Sequence, residues 1–178
     1  MKQFISHRSK IVPVLAALVL TVGFGATVAW AANLQFNNAS ATINTDGDLV
    51  CSFKITGLGD NGTADVTCNA DATATYGCIN KGGKNPSAAN KQNEAGPVRG
   101  EGLFSSGKNG NVTGSLTAEP PPTTLSCPNG QVLRLCFVSY TNIDLSAAGV
   151  AGSAAGQSDT ADVQGTLSLN THVASNCP

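Results

Sequence analysis

The sequence predicts an all-β chain folded as an antiparallel sandwich and stapled by disulfides. Three observations predict it. Beyond residue 31, no segment repeats apolar residues at helical spacing, while several alternate apolar and polar residues. Turn signals built from Gly, Asn, Asp and Pro recur at short intervals. All six cysteines (Cys51, Cys68, Cys78, Cys127, Cys136 and Cys177) lie beyond an N-terminal segment that reads as an export signal. An even cysteine count in an exported chain points to three disulfides.

That N-terminal segment carries Lys2, Arg8 and Lys10, then an uncharged run from Ile11 to Ala32, and Ala29-Trp30-Ala31 as a small-x-small cleavage pattern. Basic flank, apolar run and cleavage pattern together are the signature of a secretory signal peptide over residues 1–31. A retained membrane anchor is the competing reading, and either one exports the rest of the chain. Removing 31 of the 178 residues leaves 147, a length suited to one β-domain over 32–178. Seven Lys and Arg then face 11 Asp and Glu, a balance of −4. This excludes the basic footprint that nucleic acid requires. The expected location is secreted and extracellular, with no membrane attachment after cleavage.

From the N-terminal side of the domain, Leu34 and Phe36, then Ala39, Ala41 and Ile43, alternate with a slip in parity that predicts a bulge. Asp46-Gly47 predicts a two-residue hairpin, with both residues at positive φ. Leu49, Cys51, Phe53 and Ile55 alternate with Val50, Ser52, Lys54 and Thr56, as a half-buried strand does. The turn Gly57–Gly62 comes next. If it closes a hairpin between Gly59 and Asp60, Ile55 faces Ala64, Phe53 faces Val66 and Cys51 faces Cys68. Directly opposed cysteines can be bridged.

Ala72–Ile79 reads as a strand leading into a polar loop over 80–97. Val98–Ser105 and Val112–Ala118 flank Gly107-Lys108-Asn109-Gly110, a second hairpin signal. Pro120-Pro121-Pro122 is a stiff connector that cannot donate to a ladder. Gln131–Leu145 is the strongest strand, with Leu133, Leu135 and Phe137 expected in the core and Cys136 on the outer face. Ala147–Gly156 reads as a low-complexity mobile loop. Val163, Leu167, Leu169 and Val173 share one face of a last strand. Seven to nine short strands fit a sandwich, an immunoglobulin-like arrangement being one option and a closed β-barrel the alternative. Placing Cys136 and Cys177 on the outer face pairs them, and leaves Cys78 for Cys127. The rival pairing Cys127–Cys136 would close the small loop CPNGQVLRLC.

Candidate chemistry is sparse. Lys81-Gly82-Gly83-Lys84, with Asn80 before it and Lys91 beyond, could cradle an anion on backbone amides. No P-loop pattern accompanies it, so a solvated turn explains the same residues. Asn44-x-Asp46-x-Asp48 has the first oxygen spacings of a calcium loop. It carries Leu49 where Gly belongs and Ile55 where Glu belongs, so no metal site is expected. A hydrolytic nucleophile needs a histidine base, and beyond residue 31 only His172 remains, without a G-x-S-x-G elbow. No Trp remains there to serve as a sugar platform. Asn38, Asn61 and Asn111 sit in N-glycosylation acceptor triplets. No cofactor is expected.

The strings DATATYGCINKGGKNPSAANK and VLRLCFVSYTNIDL, with SFKITGLGD, resemble a group of small exported bacterial proteins with no assigned activity. The resemblance implies export and a β-fold, and transfers no catalytic residue. The functional expectation is a secreted, non-enzymatic β-protein that binds an extracellular ligand or a cell-envelope component, or has a structural role there. The alternatives are a self-assembling surface or filament subunit, and a small hydrolase using a carboxylate pair.

Overall fold

The computed structural model describes residues 33–80, 90–163 and 167–170. The predicted signal segment, Lys81–Lys84, His172 and Cys177 lie outside them. Among the described residues there are eight strands and no α-helix: β1 Gln35–Ile43, β2 Leu49–Thr56, β3 Thr63–Asn80, β4 Lys91–Ser105, β5 Val112–Ala118, β6 Gln131–Ala151, β7 Ser158–Asp162 and β8 Leu167–Asn170. They form two antiparallel sheets. The smaller has the order β1-β2-β5. The larger has the order β4-β3-β6-β7, with β8 also paired to β6. The chain crosses between sheets after β2, after β4 and after β5, so β5 returns beside β2. The expected sandwich is present, and the barrel alternative falls because among the described residues no ladder joins the two sheets.

The predicted alternations set the core. Leu49, Cys51, Phe53 and Ile55 of β2 are buried. Ala64, Val66, Cys68, Ala70, Ala72 and Ala74 face them from β3, and Val138, Tyr140, Ile143 and Leu145 from β6. The bulge expected in β1 falls between Phe36 and Asn38. Aromatic rings bridge the sheets, with Phe53 and Phe104 edge to face at 4.9 Å between centroids.

Two predicted hairpins are sheet crossings instead. The turns at Gly57–Gly62 and Gly107–Gly110 exist, but each joins strands of different sheets. Cys51–Cys68 is therefore bonded across the core, between buried side chains, with Cα atoms 6.4 Å apart. The arithmetic of opposed residues found the right pair, because strands that face each other across a sandwich keep a similar count from the turn. The two turns lock together around the buried Leu58. The Leu58 N–H donates to the Gly110 carbonyl at 3.0 Å, and Ser106 donates its N–H and hydroxyl to the carbonyls of Gly62 and Gly59. Gly110, at φ 68°, has its α-carbon against the Gly59 backbone, where a side chain would collide.

The Asp46-Gly47 turn does close a β1–β2 hairpin, but through five residues. Asn44 Oδ1 accepts from the N–H groups of Asp46 and Asp48, and only Gly47 has positive φ. The Asn44 side chain closes the turn, which accounts for the oxygen-rich spacing without a cation.

Three further expectations are corrected. In β6 the predicted face holds only in part: Leu135 packs against the core and Leu133 is 38% exposed, but past a register shift between Leu135 and Phe137, where Cys136 is buried, it is Val138 and Tyr140 that face the core and not Phe137. The strand meets the core through Val138 and Tyr140, and a bulge at Asn142 then shifts burial to Ile143, Leu145 and Ala147. Ala147–Gly156 is no loop: β6 continues to Ala151, then a single 3-10 turn spans Gly152–Ala154. Its small residues are there for close packing, since a side chain on Gly149 would strike Ala154. Finally, β4 begins at Lys91, so half of the predicted 80–97 loop is strand paired with β3. The polar alternation of Lys91–Gly96 hid it, because an edge strand needs few apolar residues.

Candidate functional site

The long strands shape the functional surface. β3 has 18 residues, β4 15 and β6 21, against 8 for β2 and 7 for β5. At about 3.3 Å per residue, β3 runs roughly 60 Å and β2 roughly 26 Å. The larger sheet thus extends past the smaller one as an arm made of Tyr76–Asn80 and Gln131–Leu135, paired with each other, and β4 starts at its base, with Lys91 opposite Gly77 and Gln92 opposite Tyr76.

The segment between β5 and β6 is tied to this arm. The Tyr76 hydroxyl donates to the Pro121 carbonyl at 2.8 Å, and Gln92 Nε2 donates to Thr124 Oγ1 at 3.1 Å. Cys78 is bonded to Cys127, as expected from the sequence. Burial first, then the negative charges of Glu94 and Asp48, push the Tyr76 hydroxyl above its ordinary pKa, so it stays a neutral donor. Proline explains why this segment is a strap and not a strand: Pro120-Pro121-Pro122 offers no N–H to a ladder.

Where the strap leaves β5, it forms one wall of an open groove of about 530 Å³. Glu119 and Pro120–Pro122 line that wall, Thr117 of β5 lies beside it, and Pro97, Val98 and Arg99 of β4 line the other. The proline wall has fixed φ and little rotamer freedom, so it is preorganised. The Arg99 guanidinium pairs with Glu101 at 2.9 Å and donates to Thr67 Oγ1 at 3.3 Å. The groove therefore offers apolar ring faces, the Glu119 carboxylate and the backbone of a strand edge.

Of the residues singled out in the sequence, Asn80 lies exposed at the end of β3, opposite Gln131, and Lys91 opens β4, opposite Gly77. Asn80 thus sits at the far end of the arm and Lys91 nearer its base, three residues back along β3. Lys81, Gly82, Gly83 and Lys84 lie outside the described residues. Cys136 is disulfide-bonded, and its predicted partner Cys177 also lies outside them. Among the described residues no three His, Cys, Asp or Glu side chains gather where a metal could be held. No described helix is long and apolar enough to cross a membrane. Sequence reasoning missed the groove. The proline triplet was its one visible signal, and its nearness to Pro97 depends on two sheet crossings that no local pattern encodes.

Neither a protein-family model nor a curated protein sequence matches the chain.

Proposed function

We propose that this is a secreted, non-enzymatic protein that works outside the cell by binding, and that the groove between β4 and the proline strap is its binding surface. The observation that carries the reading is the wall itself. Three consecutive prolines are held in place by the Tyr76 hydrogen bond and by the nearby Cys78–Cys127 bond, opposite a strand edge. Rigid ring faces beside outward backbone groups suit an extended polymer, a peptide or a glycan of the cell envelope, better than a compact metabolite. The groove holds a single carboxylate, Glu119, where a glycosidase would need two. The disulfides are compatible with an oxidising extracellular location.

The test is a binding screen against glycans and cell-envelope polymers with three proteins: the wild type, Thr117→Arg and a Lys81→Ala, Lys84→Ala double variant. Thr117 is exposed, so an arginine there fills the groove without entering the core. The expected result is at least a tenfold loss of binding in Thr117→Arg and none in the lysine variant. The opposite pattern would move the site to the 81–84 segment.

A further inference from the structure

The two sheets treat their edges differently. At the start of the β1 edge, side chains from beyond the ladder occupy two N–H groups. Leu34 N–H donates to Gln157 Oε1 at 2.8 Å, and Phe36 N–H to Asp159 Oδ2 at 2.7 Å. β4 pairs with β3 along one side, and among the described residues no strand pairs with its other side. Proline tells which of its residues face outward. Pro97 cannot donate, so in an unbroken antiparallel ladder its nitrogen must point away from β3. Hydrogen-bonding direction alternates along a strand, so the N–H and C=O groups of Arg99, Glu101 and Leu103 point outward too. Their side chains all lie on the exposed face of the sheet, and Leu103 is 70% exposed, the most exposed of the large apolar side chains described.

We propose that this edge pairs antiparallel with the same edge of a second copy of the chain, with Gly100 opposite Gly100. The charges select that register. It sets Arg99 opposite Glu101 of the second copy and Glu101 opposite its Arg99, while Leu103 covers its Pro97. Arg99 and Glu101 of the second copy exchange both backbone hydrogen bonds. The Leu103 N–H finds the Pro97 carbonyl, and the Leu103 carbonyl stays on water. A slip of two residues in the pairing, which moves the two-fold centre by one, puts Arg99 opposite Arg99 or Glu101 opposite Glu101. Like charges directly opposed are destabilising. The odd residues stay on one face throughout, so the two larger sheets join into one.

Edge pairing goes beyond the groove reading and requires no ligand, but it takes up the Pro97–Arg99 edge that lines one wall of the groove, so a second copy and a bound polymer compete there. Sedimentation velocity reads assembly and the polymer screen reads binding, so either can fail alone. The expected result is a concentration-dependent dimer for the wild type. Arg99→Glu and Glu101→Arg each turn both cross-strand charge pairs repulsive, and each raises the dissociation constant about tenfold or more. Mixing the two variants restores a dimer. The introduced glutamate of one copy then meets the introduced arginine of the other, and the remaining Glu101 meets the remaining Arg99. Leu103→Pro, which deletes an outward N–H and leaves the β3 ladder whole, weakens the dimer as well. A wild type that stays monomeric would make Arg99 and Glu101 guards against pairing and overturn the proposal. Single variants that still dimerise, or a mixture that stays monomeric, would overturn it equally.

Discussion

At the scale of single residues, Tyr140 joins the two sheets by chemistry as well as by packing. Its ring is fully buried, and its hydroxyl donates to the Gly47 carbonyl at 2.7 Å, from β6 across to the β1–β2 turn. Burial first, then the negative charge of Asp48, hold the hydroxyl well above its ordinary pKa of 10.0. Proton binding sets the sign of the consequence. Above about pH 10 the unfolded chain releases this proton while the folded chain keeps it, so deprotonation favours unfolding. The stabilisation is complete below about pH 10 and falls as the pH rises beyond it. Tyr140→Phe deletes the hydrogen bond and strands a buried carbonyl, which costs about 1–2 kcal/mol at neutral pH. Urea melts from neutral pH to about pH 11 check this. The wild-type advantage should shrink above about pH 10, and a constant difference would refute the assignment. Tyrosine in a strand was legible from the sequence; its partner was not, because Gly47 lies in the turn of the other sheet's hairpin.

At the scale of elements, alternation located strands well and faces poorly. β2 could be read directly, since every second residue from Leu49 to Ile55 is buried. β6 defeated the same rule because it is long and broken. Asn142 stands at φ 52°, where its side chain donates from Nδ2 to Asp71 Oδ2 at 2.7 Å, and the register with β3 shifts between Asn69 and Asp71. An earlier shift, between Leu135 and Phe137, breaks the parity first, so a run read from Leu133 and Leu135 leaves the core face at Phe137, and the Asn142 bulge shifts it again. The bulge makes a prediction. Asn142→Gly keeps the left-handed conformation and loses only an exposed hydrogen bond, so it costs a few tenths of a kcal/mol. Asn142→Val forces a β-branched residue into that conformation and costs about 1–2 kcal/mol more. Chemical denaturation of both variants gives the comparison, and equal stabilities would mean that the bulge relaxes. The candidate site was hidden for a related reason. Lys81–Lys84 advertise themselves by composition, whereas the groove is assembled from Pro97, Thr117 and Pro120–Pro122, each ordinary alone and meaningful only once the sheets are stacked.

At the scale of the whole molecule, the disulfides divide the labour between sandwich and arm. Cys51–Cys68 ties the sheets through the shared core, where both cysteines are fully buried. Cys78–Cys127 lies where the larger sheet has outrun the smaller, and holds the strap on a region that few apolar side chains cover. It spans 49 residues, so by chain entropy its loss costs about 2–4 kcal/mol. That loss should not spread evenly. The arm buries Ile79 and Cys78 but leaves Val132 and Leu133 partly exposed, whereas the sandwich buries Val66, Leu49 and Leu145 completely. Sub-global opening starts where apolar burial is least. In a Cys78→Ser, Cys127→Ser variant, amide hydrogen exchange should accelerate most in Tyr76–Asn80 and Gln131–Leu135. The amides of β2 and of β3 near Val66 should stay the slowest to exchange. Uniform loss of protection along the chain would instead show that arm and sandwich unfold as one unit. The groove sits at their junction, so the same variant should weaken polymer binding before it unfolds the core. Binding that survives an opened arm would separate the groove from the strap that walls it.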